Sequence, residues 1–346
     1  MKADSLDFED DQGAIRFDIV VFNYEHIVSL VDHFDKIRNF RPDRDRLLVL
    51  DCSINHAAEK QRVEEFARRR GWNFGKEVRV IKRKNWGIDQ GARVDYLSWL
   101  RQATNRPRYI WQFQEHYLDL VSPWSIWQED SPMPTGEIKN DTIPDNLVID
   151  LDECERIYEN NSNVAVVYAD RGKLGIYSHE SGSEWFYAGG ANFSVRTSDA
   201  LAAFPGEILE SYRAIYDGTY EWALFMELDI GRQLTCEGRE WHDLVTHHEF
   251  SSASSLRRLE TEKQSSMHQS AEAFYTGIYG KYERRFKSVL AESAPRRRLH
   301  ARLSLLYVDL LASGSRGPVK RVLNSLGLAL LAKRMRHYVA VVLRQE

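Results

Sequence analysis

The sequence predicts an α/β protein, a mostly parallel sheet flanked by helices, with a helical and basic C-terminal extension. Three observations carry this expectation. Short apolar runs of strand length alternate with segments of helical period over the first 120 or so residues, the order that builds βαβ units and a doubly wound sheet. Four of those runs end on a polar residue, at Asn23, Asp51, Asn85 and Glu115, and ligands of such sheets sit outside the carboxyl ends of the strands. Charge is also divided along the chain. Residues 281–346 hold 15 Lys and Arg against 4 Asp and Glu, a net +11, and the remainder carries −15. The expected organisation is an acidic tail at 1–14, an α/β domain at 15–260 and a helical basic region at 261–346.

Each element follows from its pattern. IRFDIVVF, residues 15–22, reads as a strand, and after a short polar turn IVSLVDHFDKI reads as a helix. DRLLVLD is a second strand ending at Asp51, and AAEKQRVEEFARRRG is a helix with basic residues in its last turn and Gly71 closing it. EVRVIKRKNWG reads as a third strand ending near Asn85-Trp86-Gly87, DQGARVDYLSWLRQA as a helix, and RYIWQFQEHY as a fourth strand. Residues 123–163 read as loop, with Pro123, Pro132, Pro134 and Pro144 among several acids. NVAVVYAD is a further strand. SEWFYAGGANFSVRTSDAL gives a small-residue turn, a short strand and a helix start. YEWALFMELDIGRQL is helical by period, and beyond about residue 255 the pattern is long, polar and helical.

The bulk composition excludes several classes. With 43% hydrophobic and 28% charged residues the chain is globular rather than disordered. Its three cysteines, Cys52, Cys154 and Cys236, are far apart and form no CxxC pair, so neither a zinc framework nor a disulfide scaffold is expected and a reducing compartment fits. The segment MKADSLDFEDDQG lacks an apolar run, so no secretory signal is expected. No apolar stretch reaches the ~18 residues of a spanning helix. Neither GxGxxG nor GxxxxGK[ST] occurs, which removes the dinucleotide and P-loop signatures.

Some residues invite a chemical reading beside a bland one. Asp51 stands where an acid accepts from a ribose or base, or where a turn uses an Asp. Asp89 in NWGIDQG lies near a diphosphate, or caps a helix. Glu115 and His116 offer an oxygen and an imidazole to Mg²⁺ or Mn²⁺, or end a strand at the surface. His247 and His248 could supply a distant ligand, or hydrogen-bond within the fold. Glu227 and Asp229 lie on a helix near the glycine-rich turn, where one carboxylate could act as a general base and where helical acids are more often solvated.

Together these pieces resemble the family 2 glycosyltransferases of the GT-A (Rossmann-like) fold, over roughly residues 15–255. The residues that carry the likeness are IVVFNYE (Ile19–Glu25), Asp51-Cys52-Ser53, Asn85-Trp86-Gly87, Gly189-Gly190 followed by Arg196, and MELDIGRQL (Met226–Leu234) reaching Gly238. The family's DxD motif falls on Gln114-Glu115-His116, and its later histidine on His247 or His248 before Ser251. The resemblance implies that Asn23, Glu25, Asp51, Ser53, Asn85, Asp89 and Gln114 bind the donor. It implies that Gly189, Gly190, Asn192 and Arg196 border the acceptor, and that Glu115, His116, His247 and His248 hold a divalent cation, Mn²⁺ or Mg²⁺. Glu227 takes the place of the catalytic base, with Glu221 and Asp229 as rivals. Because two acids of DxD are replaced, nearby cationic side chains are the alternative partner for the departing diphosphate.

What the resemblance implies is an inverting transfer of sugar from a nucleotide-sugar donor to a hydroxyl of a glycan or lipid-linked saccharide, in bacterial-type surface polysaccharide synthesis. The altered DxD motif keeps a non-catalytic, glycan-binding or scaffolding module in view. A nucleic-acid-modifying glycosyltransferase rests only on the basic tail, and nucleic acid is not an expected partner. The stretch VKRVLNSLGLALLAKRMRHYVAVVLRQE places Val319, Val322, Leu323, Leu326 and Leu330 at helical spacing among basic residues. That pattern suits an anionic membrane surface, a homodimer contact, or packing on the catalytic domain. The expected location is the cytoplasm, peripheral to the inner face of the membrane.

Overall fold

A computed structural model of the chain describes residues 15–25, 27–114, 148–169, 174–188, 192–235, 239–244, 249–250 and 267–312. The expectations at 1–14, at Glu115, His116, Gly189, Gly190, His247 and His248, and in the basic segment beyond residue 312 lie outside those residues.

The chain opens with β1 (Phe17–Asn23), α1 (Ile27–His33), β2 (Ile37–Arg38), β3 (Asp45–Asp51), α2 (His56–Arg69), β4 (Val78–Lys82), α3 (Ile88–Leu100) and β5 (Tyr109–Gln114). It continues with β6 (Ile149–Asp150), α4 (Leu151–Asn160), β7 (Val164–Tyr168), β8 (Leu174–Ser178), β9 (Glu184–Ala188), β10 (Phe193–Arg196) and α5 (Thr197–Ala203). Then come α6 (Gly206–Ile215), α7 (Tyr220–Thr235), β11 (Glu240–Asp243), β12 (Glu249–Phe250), α8 (Met267–Leu290) and α9 (Ala294–Ala312).

The fold is α/β, as expected. An eight-stranded sheet runs β12-β11-β7-β10-β5-β1-β3-β4. β4, β3, β1 and β5 are mutually parallel, while β10 lies antiparallel between β5 and β7. Every residue of β1, β3 and β7 is buried, the pattern of strands covered on both faces. The period of two divides the core into two layers. Val20, Phe22, Leu48, Leu50 and Ile110 face one layer with α3, α6 and α7. Ile19, Val21, Leu47, Val49, Trp111 and Phe113 face the other with α1, α2 and α4.

Two sequence expectations are corrected. The third strand ends at Lys82 rather than near Asn85–Gly87, and residues 83–87 form the approach to α3. Residues 123–163 are not loop throughout, because β6 and α4 occupy 149–160. Asp150 caps α4 by accepting from the amides of Asp152 and Glu153, and Leu151, Cys154, Ile157 and Tyr158 bury one face.

The helices after residue 266 dock onto the α/β body. Tyr212 of α6 stacks on Phe286 of α8 with ring centroids 5.0 Å apart, and Phe225 of α7 stacks on Tyr282 at 5.6 Å. From α9, Ser304 Oγ donates to the Ala214 carbonyl and Arg298 Nε to Glu210, at 2.7 and 3.0 Å. Among the described residues no helix is long and apolar enough to cross a membrane.

Candidate active site

The parallel register sets one edge of the sheet. Asn23 pairs with Asp51, Asp51 with Lys82, and Phe22 with Gln114. The ends of β1, β3, β4 and β5 are therefore level, at the carboxyl edge where the sequence placed the donor. There the predicted residues do meet. Asn23 Nδ2 points at Asp51 Oδ1, Ser53 Oγ and Glu59 Oε2, at 2.8, 3.2 and 3.1 Å. Ser53 Oγ also donates to Asp51 Oδ1 at 2.6 Å and accepts from the Glu25 amide at 2.7 Å. Glu25 Oε1 accepts from the Ile54 amide at 3.1 Å, and Glu25 holds a left-handed φ of 66°. The β1 and β3 loops are thus tied together.

Asp51 lies at the expected edge but is turned inward. Its side chain is fully buried; Oδ1 is taken by Asn23 and Ser53, and Oδ2 stands 2.5 Å from His56 Nδ1. A carboxylate so engaged holds Asn23, Ser53 and His56 in place. Exposed groups at this edge include Tyr24, Glu25, Ile54 and, in part, the His56 ring. His56 escaped the sequence reading. Its only signal is an imidazole in the first turn of the helix that follows Asp51. Asn85 is exposed on the 83–87 segment, and Gln114 is half-buried at the end of β5.

A second cluster forms where α3 begins. α3 starts just after β4 leaves the sheet, so its first turn also lies at the carboxyl edge. Two glycines of NWGIDQG let it do so. Gly87 has φ +64°, and a Cβ there would come within 2.6 Å of the Trp222 ring. A Cβ on Gly91 would meet the Trp86 carbonyl oxygen at 1.9 Å. Behind this turn runs a buried polar chain. Gln112 Oε1 on β5 accepts from Arg93 Nε at 2.9 Å, and Arg93 Nη1 donates to Gln90 Oε1 at 2.6 Å. Gln90 Nε2 then reaches Asp89 Oδ2 at 3.1 Å and Glu227 Oε1 at 3.4 Å. Glu227, on α7, is half-buried. Gln90, Arg93 and Gln112 also escaped the sequence reading, because a polar residue in a strand or helix does not announce which neighbour it will face. Asn192, one residue before β10, accepts from Trp111 Nε1 at 2.9 Å and belongs to the same edge through the pairing of Phe193 with Gln112.

Three predicted residues are placed elsewhere. Asp229 is fully buried and accepts from Tyr212, Tyr279, Arg232 and Gln233 at 2.6, 2.8, 2.7 and 3.3 Å. It ties α7 to α6 and α8. Burial and the Asp229 charge together hold the Tyr212 and Tyr279 hydroxyls well above the usual tyrosine range. Glu221 is paired with Lys281 of α8 at 2.5 Å. Arg196 sits opposite Tyr109, the first residue of β5, because β10 runs antiparallel. It therefore lies at the far edge of the sheet, where it donates to the carbonyls of Tyr158, Asn161 and Val164. That is the edge opposite Asn192, with which the resemblance groups it at the acceptor. Among the described residues no group of three His, Cys, Asp or Glu side chains is placed to hold a metal ion. The buried Cys154 thiol has its pKa pushed up by burial, which disfavours the thiolate.

No protein-family model matches the chain, and a comparison with curated proteins found no match. Among solved structures the chain is similar to S. aureus TarS residues 1–349, with 12% identity, TM-score 0.36, and coverage of 82% of this chain and 77% of that one. It is similar to a longer S. aureus TarS chain at 13% identity and TM-score 0.36, covering 82% of this chain and 45% of that one. It is also similar to the mannosyltransferase PcManGT of Pyrobaculum calidifontis, in complex with GDP-Man and Mn²⁺, at 11% identity and TM-score 0.30, covering 92% and 81%. These similarities are remote.

Proposed function

We propose that the protein is a glycosyltransferase of GT-A type that moves a sugar, with inversion, from a nucleotide-sugar donor to a hydroxyl of a glycan or lipid-linked saccharide. The observation that carries this reading is the meeting of Glu227 with the first turn of α3, beside the tied loops of β1 and β3 at the carboxyl edge of the sheet. Sheets of this kind bind nucleotides there, and a half-buried carboxylate beside such a cleft is suited to accept a proton.

The acceptor hydroxyl oxygen forms a bond to the anomeric carbon while Glu227 takes its proton. The bond from that carbon to the diphosphate oxygen breaks, and the nucleoside diphosphate leaves with the electron pair. The sugar passes through an oxocarbenium-like state. Asp51 acts by fixing His56 and Ser53, and the donor meets the outer face formed by His56, Glu25 and Tyr24. Glu115 and His116 are the proposed holders of a divalent cation, which would offset the charge of the leaving diphosphate. The segment beyond residue 312 is proposed to lie on an anionic membrane, where each basic residue contributes ~1 kcal/mol. Salt-sensitive sedimentation with anionic vesicles, lost on truncation at Ser315, supports that placement, and loss of a dimer on truncation instead would contradict it.

The test of function is turnover of UDP-, GDP- and dTDP-sugars, screened with and without Mn²⁺. Transfer or donor hydrolysis with one of them supports the reading. Binding of glycan without turnover of any donor supports the non-catalytic module instead.

A further inference from the structure

We propose that Gln90 is a positioning residue for Glu227, acting as a one-way amide bridge between the rigid centre of the sheet and the catalytic carboxylate. The inference rests on the reading of Glu227 as the base. Gln90 lies in the first turn of α3 and is fully buried. Its two ends face opposite chemistries. Oε1 accepts from the Arg93 guanidinium at 2.6 Å. Nε2 faces two carboxylates, Asp89 Oδ2 at 3.1 Å and Glu227 Oε1 at 3.4 Å.

This surrounding fixes which way the amide points. The flipped orientation would put NH₂ against a guanidinium and a carbonyl oxygen against two carboxylates, so every contact would be repulsive. Arg93 is itself held, by Gln112 of the central strand β5 at 2.9 Å and by the rings of Phe22 and Phe193, 5.6 and 5.2 Å from its guanidinium carbon. The chain from Gln112 through Arg93 to Gln90 therefore transmits the position of the sheet to α7. The 3.4 Å contact is long, as catalytic hydrogen bonds often are without substrate. One amide also serves both acids, so Asp89 and Glu227 are held apart at a spacing that the Nε2 geometry sets.

Several charged groups on the other helices packed against α7 have partners of their own. Lys281 is paired with Glu221, Glu283 with His179 and Lys287, and Asp199 with Arg196 and Arg239. The amide of Gln90 reaches Glu227 from α3, at the end opposite the Arg93 contact.

The experiment separates this role from that of a plain partner for Arg93. Gln90→Glu keeps an acceptor for Arg93 and gains an ion pair there, but it replaces the donor facing Glu227 by a third carboxylate. Gln90→Met removes both contacts at similar volume. The full-length protein is used, with fold checked by near-ultraviolet circular dichroism. Misplacing a reacting group by about 1 Å costs ~10²-fold, so Q90E is expected to lower kcat by ~10- to 100-fold with donor KM nearly unchanged. Adding Q90E to E227Q is expected to cost nothing further. Near-normal kcat in Q90E, or an equal loss in the E227Q background, would overturn the proposal. Full activity of E227Q alone would instead remove the base assignment, and the two failures are distinguishable within one set of assays.

Discussion

Asp229 and Glu227 are rivals on one helix, and Asp229→Asn separates them. Two residues apart on an α-helix point roughly 200° apart, so only one of the two can face the site. Asp229 Oδ1 accepts from Tyr279 and Arg232, and Oδ2 from Tyr212 and Gln233. Asparagine keeps one acceptor and turns the other into a donor. The cheaper arrangement aims the new NH₂ at Tyr212, whose hydroxyl rotates to accept, and leaves the Gln233 amide facing a donor. It also removes the charge opposite Arg232, whose side chain is one-third exposed and regains water. Hydrogen bonds to a charged group are worth about 1.5–3 kcal/mol net, so the substitution is expected to cost about 2–4 kcal/mol of stability. Urea unfolding followed by tryptophan fluorescence reads that loss, and transfer is then measured well below the unfolding transition. The expected result is a clear drop in urea midpoint with kcat per folded molecule changed by only a few-fold. An unchanged midpoint with a ~100-fold loss of kcat would refute the structural role and make Asp229 the base.

Other outcomes follow from the same contacts. The hydroxyls of Tyr212, Tyr279 and Tyr282 are held above the tyrosine range by burial and by Asp229 or Asp217; the unfolded chain releases these protons near pH 10 while the folded chain keeps them, so stability is full below pH 10 and falls above it. Each such tyrosine contributes a slope of ~1.4 kcal/mol per pH unit, and a urea midpoint that stays level from pH 9 to 11.5 would contradict this. Gly87→Ala is expected to lower the melting temperature far more than Gly71→Ala. Both glycines have positive φ, but only Gly87 faces a side chain, Trp222 at 2.6 Å, while Gly71 opens onto free space; equal losses would show that the ring moves aside at little cost. If Glu115 and His116 hold a cation, EDTA stops transfer and Mn²⁺ restores it better than Mg²⁺, because imidazole suits Mn²⁺. Full activity in EDTA would assign the leaving group to cationic side chains.

The elements most legible in the sequence are those whose burial matches a simple period. β1, β3, β5 and β7 are rich in apolar residues and almost wholly buried because both faces are covered, and α2 carries its basic last turn and Gly71 in the open. α4 was hidden because its apolar residues Leu151, Cys154, Ile157 and Tyr158 follow a stretch of prolines and acids that reads as loop. The strand-end rule named Asn23, Asp51, Asn85 and Glu115: Asn23 and Asp51 do end neighbouring strands at one edge, Asn85 lies past the end of β4, and Glu115 is outside the described residues. It could not tell that Asp51 turns inward, because that depends on His56 and Ser53 arriving from the next loop. Arg196 and Asn192 part for a topological reason: an antiparallel β10 sends its C-terminal end to the opposite edge, and the sequence does not state strand direction. The relay through Gln90, Arg93 and Gln112 joins residues from a strand and a helix, and only the packed sheet brings it together.

The central claim is that Glu227 accepts the acceptor's proton, and Glu227→Gln tests it most directly. The variant keeps the shape and the contact with Gln90 within reach, so donor binding measured by calorimetry should be retained. A general base contributes ~10²–10⁴-fold, so transfer in single-turnover conditions should fall by that factor. Retained donor affinity with that loss is the predicted result, and near-normal transfer by the variant would contradict the account.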